Sequence, residues 1–229
     1  LYLNKGFKAD PRSGVSRWKN ACEEGDMPSC TVMGQFYAVG GAGVAKNAGA
    51  AEANLTKACD AGFTEGCFQK GLLLDEDWNS LAKDEWYGQA CEDGHREACW
   101  KLAQSYLSGA SKAPTEDRVI TLVDRGCELG NAKSCYEAGQ LRIQLDEPDY
   151  QVASERHHRA CNLGDVASCA SLVTMITEDK VEGSVKTPPQ AFESARLKRG
   201  SASACTALAL QLFRGVHLPR HPDRGRATL

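Results

Sequence analysis

The sequence predicts an all-α protein, a right-handed α/α solenoid of about six helix-turn-helix repeats that spans residues 1–229 as one domain. Three observations carry that prediction. The first is a ten-residue stretch, Ala58-Cys59-Asp60-Ala61-Gly62-Phe63-Thr64-Glu65-Gly66-Cys67, with two cysteines eight apart and a glycine three after the first. The same spacing returns at Cys22/Gly25/Cys30, Cys91/Gly94/Cys99, Cys127/Gly130/Cys135 and Cys161/Gly164/Cys169. A sixth copy keeps Gly200 and Cys205 but has Leu197 in place of the first cysteine. The second is the period. Successive first positions lie 37, 32, 36, 34 and 36 residues apart, and near-constant self-similarity of this kind marks a repeat array. The third is the absence of strand-like alternation between junctions, where apolar residues such as Met33, Phe36 and Tyr37 fall at helical spacing instead.

The junction spacing has a physical consequence. On one unbroken helix, residues eight apart lie about 12 Å apart along the axis. A disulfide needs its Cα atoms within about 7 Å. The cysteines therefore pair only if the chain reverses at the glycine, which closes a helix in the left-handed conformation at low cost. Each junction then reads as helix end, tight turn and next helix. Five local disulfides follow: Cys22–Cys30, Cys59–Cys67, Cys91–Cys99, Cys127–Cys135 and Cys161–Cys169. Cys205 has no expected partner, so it is either a buried free thiol or half of a mixed disulfide. Zinc is the alternative for the pairs, but structural zinc motifs space their cysteines by about two to four residues.

Taken in order, residues 1–11 read as the tail of a helix and a loop closed by Asp10-Pro11. A helix is predicted from about Ser13 to Glu24 and another from Met27 to Val39, broken by Gly40-Gly41-Ala42-Gly43. Further helices are expected over about Ala48–Ala61, Thr64–Leu74, Trp78–Asp93, Arg96–Leu107, Thr115–Leu129, Ala132–Leu145, Asp149–Leu163, Val166–Thr177, Pro189–Arg199 and Ala202–Phe213. Thr115, followed by Glu116 and Asp117, reads as an N-cap. Pro148 and Pro188-Pro189 stand where helices start. The linker from Glu178 to Thr187 is longer and less regular than the others. The chain starts without Met, inside what looks like a helix, and so reads as an array truncated at both ends.

Composition bounds the function. The net charge of -3 among 229 residues argues against a nucleic-acid partner. The charge is uneven: residues 71–100 are acid-rich, and the C-terminal part, with Arg196, Lys198, Arg199, Arg214 and Arg220, is basic. Either these are solvated faces or they steer a charged partner. Eleven cysteines, ten of them in regular pairs, fit an oxidising compartment. No apolar run approaches the ~20 residues of a membrane span.

The stretch Met33-Gly34-Gln35-Phe36-Tyr37-Ala38-Val39-Gly40, then Gly43-Val44, then Leu55-Thr56-Lys57-Ala58-Cys59-Asp60-Ala61-Gly62 resembles the Sel-one-like repeats, relatives of the tetratricopeptide repeats. Cysteine stands where that family has alanine. The chain is thus similar to the cysteine-rich subfamily, which includes the Helicobacter cysteine-rich proteins and a mitochondrial intermembrane-space assembly factor. The resemblance implies a small residue four after each second cysteine: Gly34, Gly71, Ala103, Gly139 and Ala209, with Val173 departing. It implies a large one seven after: Tyr37, Leu74, Tyr106, Ile176 and Leu212, with Arg142 departing. It also implies a non-catalytic adaptor, without cofactor, that binds a protein or peptide on a concave surface. Periplasmic or secreted location is expected, with the mitochondrial intermembrane space as the alternative. Some relatives resemble periplasmic immunity proteins that neutralise secreted effectors.

By the same resemblance, the concave positions fall one and five residues after each second cysteine, sharing a helix face. The first set is Thr31, Phe68, Trp100, Tyr136, Ala170 and Thr206. The second is Gln35, Leu72, Gln104, Gln140, Thr174 and Leu210. Phe68, Trp100 and Tyr136 beside Gln35, Gln104 and Gln140 form the expected partner site, since aromatics dominate binding hot spots; the other reading has these rings packed as core.

Catalytic patterns are sparse. The rival reading is a β-lactam-binding or β-lactamase-like protein, as described for the Helicobacter proteins. Ser16-Arg17-Trp18-Lys19 and Ser80-Leu81-Ala82-Lys83 match the Ser-x-x-Lys element, but the Ser-Asp-Asn and Lys-Thr-Gly partners are missing. His157 and His158 are adjacent and diverge on a helix, and Pro219 separates His217 from His221, so no metal site is expected. A third reading is a structural fragment of a longer scaffold.

Overall fold

The turn that reverses the chain at each junction builds this fold. The structure is a computed structural model and describes residues 11–76, 80–111, 115–178 and 180–181. Ten helices occur among the described residues: α1 (Pro11–Glu23), α2 (Met27–Val39), α3 (Ala48–Asp60), α4 (Thr64–Glu76), α5 (Ser80–Glu92), α6 (Arg96–Leu107), α7 (Glu116–Glu128), α8 (Ala132–Ile143), α9 (Tyr150–Asn162) and α10 (Val166–Thr177). Extended pairing among those residues is limited to an isolated bridge between Gly41 and Val44 in the α2–α3 loop. The helices expected at Pro189–Arg199 and Ala202–Phe213, the sixth junction with Leu197, Gly200 and Cys205, and His217 and His221 lie outside the described residues.

Every described junction closes in the same way. The residue before the first cysteine accepts a backbone hydrogen bond from the residue after the glycine: Asp26 to Ala21 (2.9 Å), Phe63 to Ala58 (3.0 Å), His95 to Ala90 (2.8 Å), Asn131 to Gly126 (2.9 Å) and Asp165 to Ala160 (2.9 Å). This six-to-one bond is the Schellman closure. It needs a positive φ at the glycine, and Gly62 (79°) and Gly25 (99°) bracket the five turns. A Cβ there would meet nothing within 4 Å, so backbone conformation rather than space demands glycine. The next residue then starts the second helix. Asp26, Asn131 and Asp165 accept from the backbone N–H of Ser29 (3.0 Å), Ser134 (2.9 Å) and Ser168 (2.7 Å), each an N-cap of the kind that contributes about 1 kcal/mol. Two adjacent residues thus end one helix and begin another. Thr115 caps α7 by accepting from Arg118 N–H at 3.2 Å.

The reversal brings the cysteines together. Cα separations are 4.6 Å for Cys22–Cys30, 4.6 Å for Cys59–Cys67, 4.4 Å for Cys127–Cys135 and 4.8 Å for Cys161–Cys169, each pair bonded. Cys91 and Cys99 are disulfide-bonded as well. The Cys22–Cys30 pair packs on Ala58, and Cys127–Cys135 packs on Ala160. Each of these alanines precedes the next first cysteine, so one junction stacks on the next. A larger side chain there would hold the junctions apart. A basic residue completes the tie: Lys57 Nζ donates to Cys22 O (2.6 Å), and Arg159 donates to Glu128 O (2.8 Å). Both satisfy carbonyls at helix C-termini, where positive charge is favoured.

The chain divides into two compact units, Leu1–Ala98 and Cys99–Leu229. In the first, α2 packs between α1 and α3 and also touches α4, which packs on α3 and α5. In the second, α8 packs between α7 and α9, and α9 also meets α10. The small residue four after the second cysteine lets helices approach. A Cβ added at Gly34 would stand 2.6 Å from Leu55, at Gly71 2.6 Å from Tyr87, and at Gly139 2.7 Å from His157. Those facing residues sit four before the next first cysteine. Leu55, Tyr87, Val123 and His157 are all buried there. Arg142, the departure from the large position, carries a charge because it pairs with Asp124 at 2.7 Å.

Candidate protein-binding face

The residues one after the second cysteine stand at the fifth position of α2, α4, α6, α8 and α10. Of the two readings of these rings, Phe68 and Trp100 follow the core one: they are 8% and 9% exposed. The Phe68 ring stacks on His95 at 4.2 Å and tilts against Tyr87 at 5.9 Å. It fills the space beside the next junction, where an aromatic is held by burial. Thr31 is buried and donates to Met27 O at 3.1 Å. Tyr136 is half-buried, meets His157 edge-on at 5.6 Å, and its hydroxyl accepts from Gln140 Nε2 at 2.8 Å. Thr206 and Leu210 lie outside the described residues.

The residues five after the second cysteine emerge instead. Gln35, Gln104 and Thr174 are exposed, while Leu72 and Gln140 are half-buried. The first unit therefore presents Gln35 and Leu72, and the second presents Gln104, Gln140 and Thr174. A glutamine amide offers two donors and an acceptor, which suits the polar backbone of a peptide or protein loop.

Of the two Ser-x-x-Lys matches, one serine and one lysine are engaged elsewhere. Ser16 Oγ donates to Arg12 O at 3.1 Å on the exposed side of α1, with Lys19 exposed. Ser80 opens α5, and Lys83 is buried with Nζ 2.5 Å from Asp75 Oδ1. An amine committed to a carboxylate has no free lone pair to act as base. Among the described residues no group of three His, Cys, Asp or Glu side chains is placed to hold a metal ion. No helix among them is long and apolar enough to cross a membrane.

Sequence reasoning overlooked His95 and Asp124. His95 occupies the position of the capping residues Asp26, Asn131 and Asp165. Its Nδ1 accepts from Ala98 N–H at 3.1 Å, which leaves Nε2 to donate to Glu65 at 3.0 Å. That bond holds the Glu65 carboxyl below its usual range, against the opposing effect of its partial burial. The alignment of His95 with three capping residues was the available signal. Asp124 on α7 accepts from Arg142 of α8 (2.7 Å) and Arg156 of α9 (2.8 Å). Nothing in its local sequence marks it.

No protein-family model matches the chain. It is 25% identical over 148 residues to cytochrome c oxidase assembly factor 7A of Xenopus laevis, which covers 60% of this chain and 64% of that protein. The chain thus spans a little under two thirds of that relative's length. Among solved structures it superposes on c5321, a protective antigen present in uropathogenic Escherichia coli strains displaying an SLR fold, with TM-score 0.67 and 18% identity, over 96% of this chain and 48% of that one. It also superposes on a Sel1 repeat protein from Oxalobacter formigenes, with TM-score 0.61 and 18% identity, over 96% of each chain. The fold is therefore that of the Sel1-like repeat solenoids, in a form whose helix pairs are tied by disulfides. The disulfides assign the chain to an oxidising compartment.

Proposed function

We propose that this chain is a non-catalytic protein-binding scaffold of an oxidising compartment, acting in the assembly of a multiprotein complex. The observation that carries the reading is the Sel1-like repeat fold, whose helix pairs bring exposed Gln35, Gln104 and Thr174 to the same register. The name of the Xenopus relative, a cytochrome c oxidase assembly factor, supports assembly as the task. It favours the mitochondrial intermembrane space or the periplasm, which share the oxidising chemistry. In this reading residues 1–229 are one array that includes the sixth junction, Cys205 is its single free thiol, and each unit offers its own partner-binding side chains, Gln35 on the first and Gln104 and Gln140 on the second.

Two measurements test this. A photo-crosslinking amino acid at Gln104, introduced in the native compartment, is expected to give one discrete adduct that the same group at exposed Glu155 does not. Equal labelling from both positions would overturn the partner face. Intact mass after denaturing alkylation without reductant is expected to show one modified cysteine; eleven would remove the compartment assignment. Chromogenic cephalosporin turnover abolished by Ser80→Ala would replace the scaffold reading with an enzymatic one.

A further inference from the structure

From the second junction to the fifth, the position four before the first cysteine is the seat of the helix–helix contact, and one seat carries an ionisable ring with nothing to bond. Leu55, Tyr87 and Val123 fill it in α3, α5 and α7. Two are apolar, and the hydroxyl of Tyr87 reaches Asp75 Oδ2 at 3.4 Å. In α9 the occupant is His157, fully buried over Gly139. Neither Nδ1 nor Nε2 has a hydrogen-bond partner. A neutral imidazole without partners already loses hydration on burial, and an imidazolium loses far more.

We propose that His157 is an acid-sensitive latch on the second unit: neutral, it seats α9 on α8 as leucine seats α3 on α2; protonated, it leaves the seat and loosens α8, α9 and α10.

The groups around it do not offset the cost of burying the cation. From α8 comes the edge-on Tyr136 ring. At the start of α10, Asp165 draws the imidazole toward protonation, but its carboxylate is engaged by Ser168 N–H. The charged Asp124 of α7, Arg142 of α8 and Arg156 of α9 are paired with one another. Burial outweighs Asp165 and pushes His157 down to about 4. The sign follows from a folded value below the ordinary value near 6.5. Stability is whole above about 6.5 and is lost as pH falls toward about 4, with the opening equilibrium rising up to about tenfold per pH unit. In the first unit His95, by contrast, is bonded at both nitrogens.

Hydrogen exchange of the full chain, corrected for intrinsic rates, tests the latch at pH 7, 5.5 and 4.5. Protection across α8–α10 is expected to fall about tenfold per pH unit relative to α2–α4, and His157→Leu is expected to flatten that difference. Parallel loss in both units, or the same loss in H157L, would overturn it. Should H157L fail to fold, the ring resonances of the unmodified protein decide. A His157 ring that takes its proton near pH 6.5 with α8–α10 still protected would overturn the latch; one that stays neutral at pH 5.5 supports it.

Discussion

In the first unit the charges that tie helices across the fold are lysines. Lys70 of α4 donates to Thr56 of α3 at 2.8 Å, lies 3.8 Å from Glu52, and sits 3.8 Å over the Trp86 ring of α5. Lys83 of α5 reaches back to Asp75 of α4. In the second unit the central charge is a carboxylate: Asp124 of α7 joins Arg142 of α8 to Arg156 of α9. The backbone problem is the same in both units and is solved the same way, by Schellman turn, cap and disulfide. The polar ties differ in sign, residue and geometry. The repeat therefore constrains helix ends and seats, while the side chains that lock one helix to the next vary with their neighbours. An arginine pair gripping one carboxylate is directional, whereas an ammonium over a ring is tolerant of orientation.

The comparison can be broken at its seats first. Tyr87→Ala opens a cavity against Gly71 and is expected to cost about 3–5 kcal/mol, read by denaturant unfolding, with hydrogen-exchange protection lost in α4 and α5. Next come the staples. Replacing both Cys127 and Cys135 by serine frees a loop of about nine residues and is expected to cost about 2–3 kcal/mol in the chain-entropy account; an unchanged melting temperature would show that the turn holds itself. The ties should then separate the units. Asp124→Asn strips the partner from two arginines that are only partly exposed and is expected to cost about 1.5–3 kcal/mol. Lys83→Met is expected to cost less, because Asp75 keeps some access to water and the Tyr87 hydroxyl. A larger loss in Lys83→Met would reverse the assignment of the stronger tie to the second unit. The smallest effect is at Glu65. Its carboxyl is held low by His95, so its contribution is present above the ordinary carboxylate value and lost as pH falls through its folded value. Glu65→Gln is expected to flatten the acid limb of the first unit slightly, checked by melting temperature against pH.

Much of the helix layout was legible because it is local. α10 spans Val166–Thr177 as its pattern predicts, and the turns at Gly25, Gly62, Gly94, Gly130 and Gly164 lie where the cysteine spacing requires. Helix starts were less legible. α1 begins at Pro11 rather than Ser13, since proline fits a first helical position. α9 begins at Tyr150 because Asp149 caps it by accepting from Val152 N–H at 3.0 Å. The candidate face was legible only by half. Position-by-position reasoning picked out Gln35 and Gln104, which are exposed, but it left Phe68 and Trp100 open between groove and core. Phe68 is buried against His95 of the following junction, which lies 27 residues further along the chain.

The sequence by itself determined the helix-turn-helix unit, its period and its staples. These depend on contacts within about ten residues, where glycine φ, capping side chains and disulfide reach leave little choice. Only the tertiary structure decided which rings are core, that Asp124 is shared by two arginines, and that His157 occupies a seat held elsewhere by leucine, tyrosine and valine. Those outcomes follow from the close approach of helices distant in sequence, and burial removes the water that would otherwise satisfy a polar group.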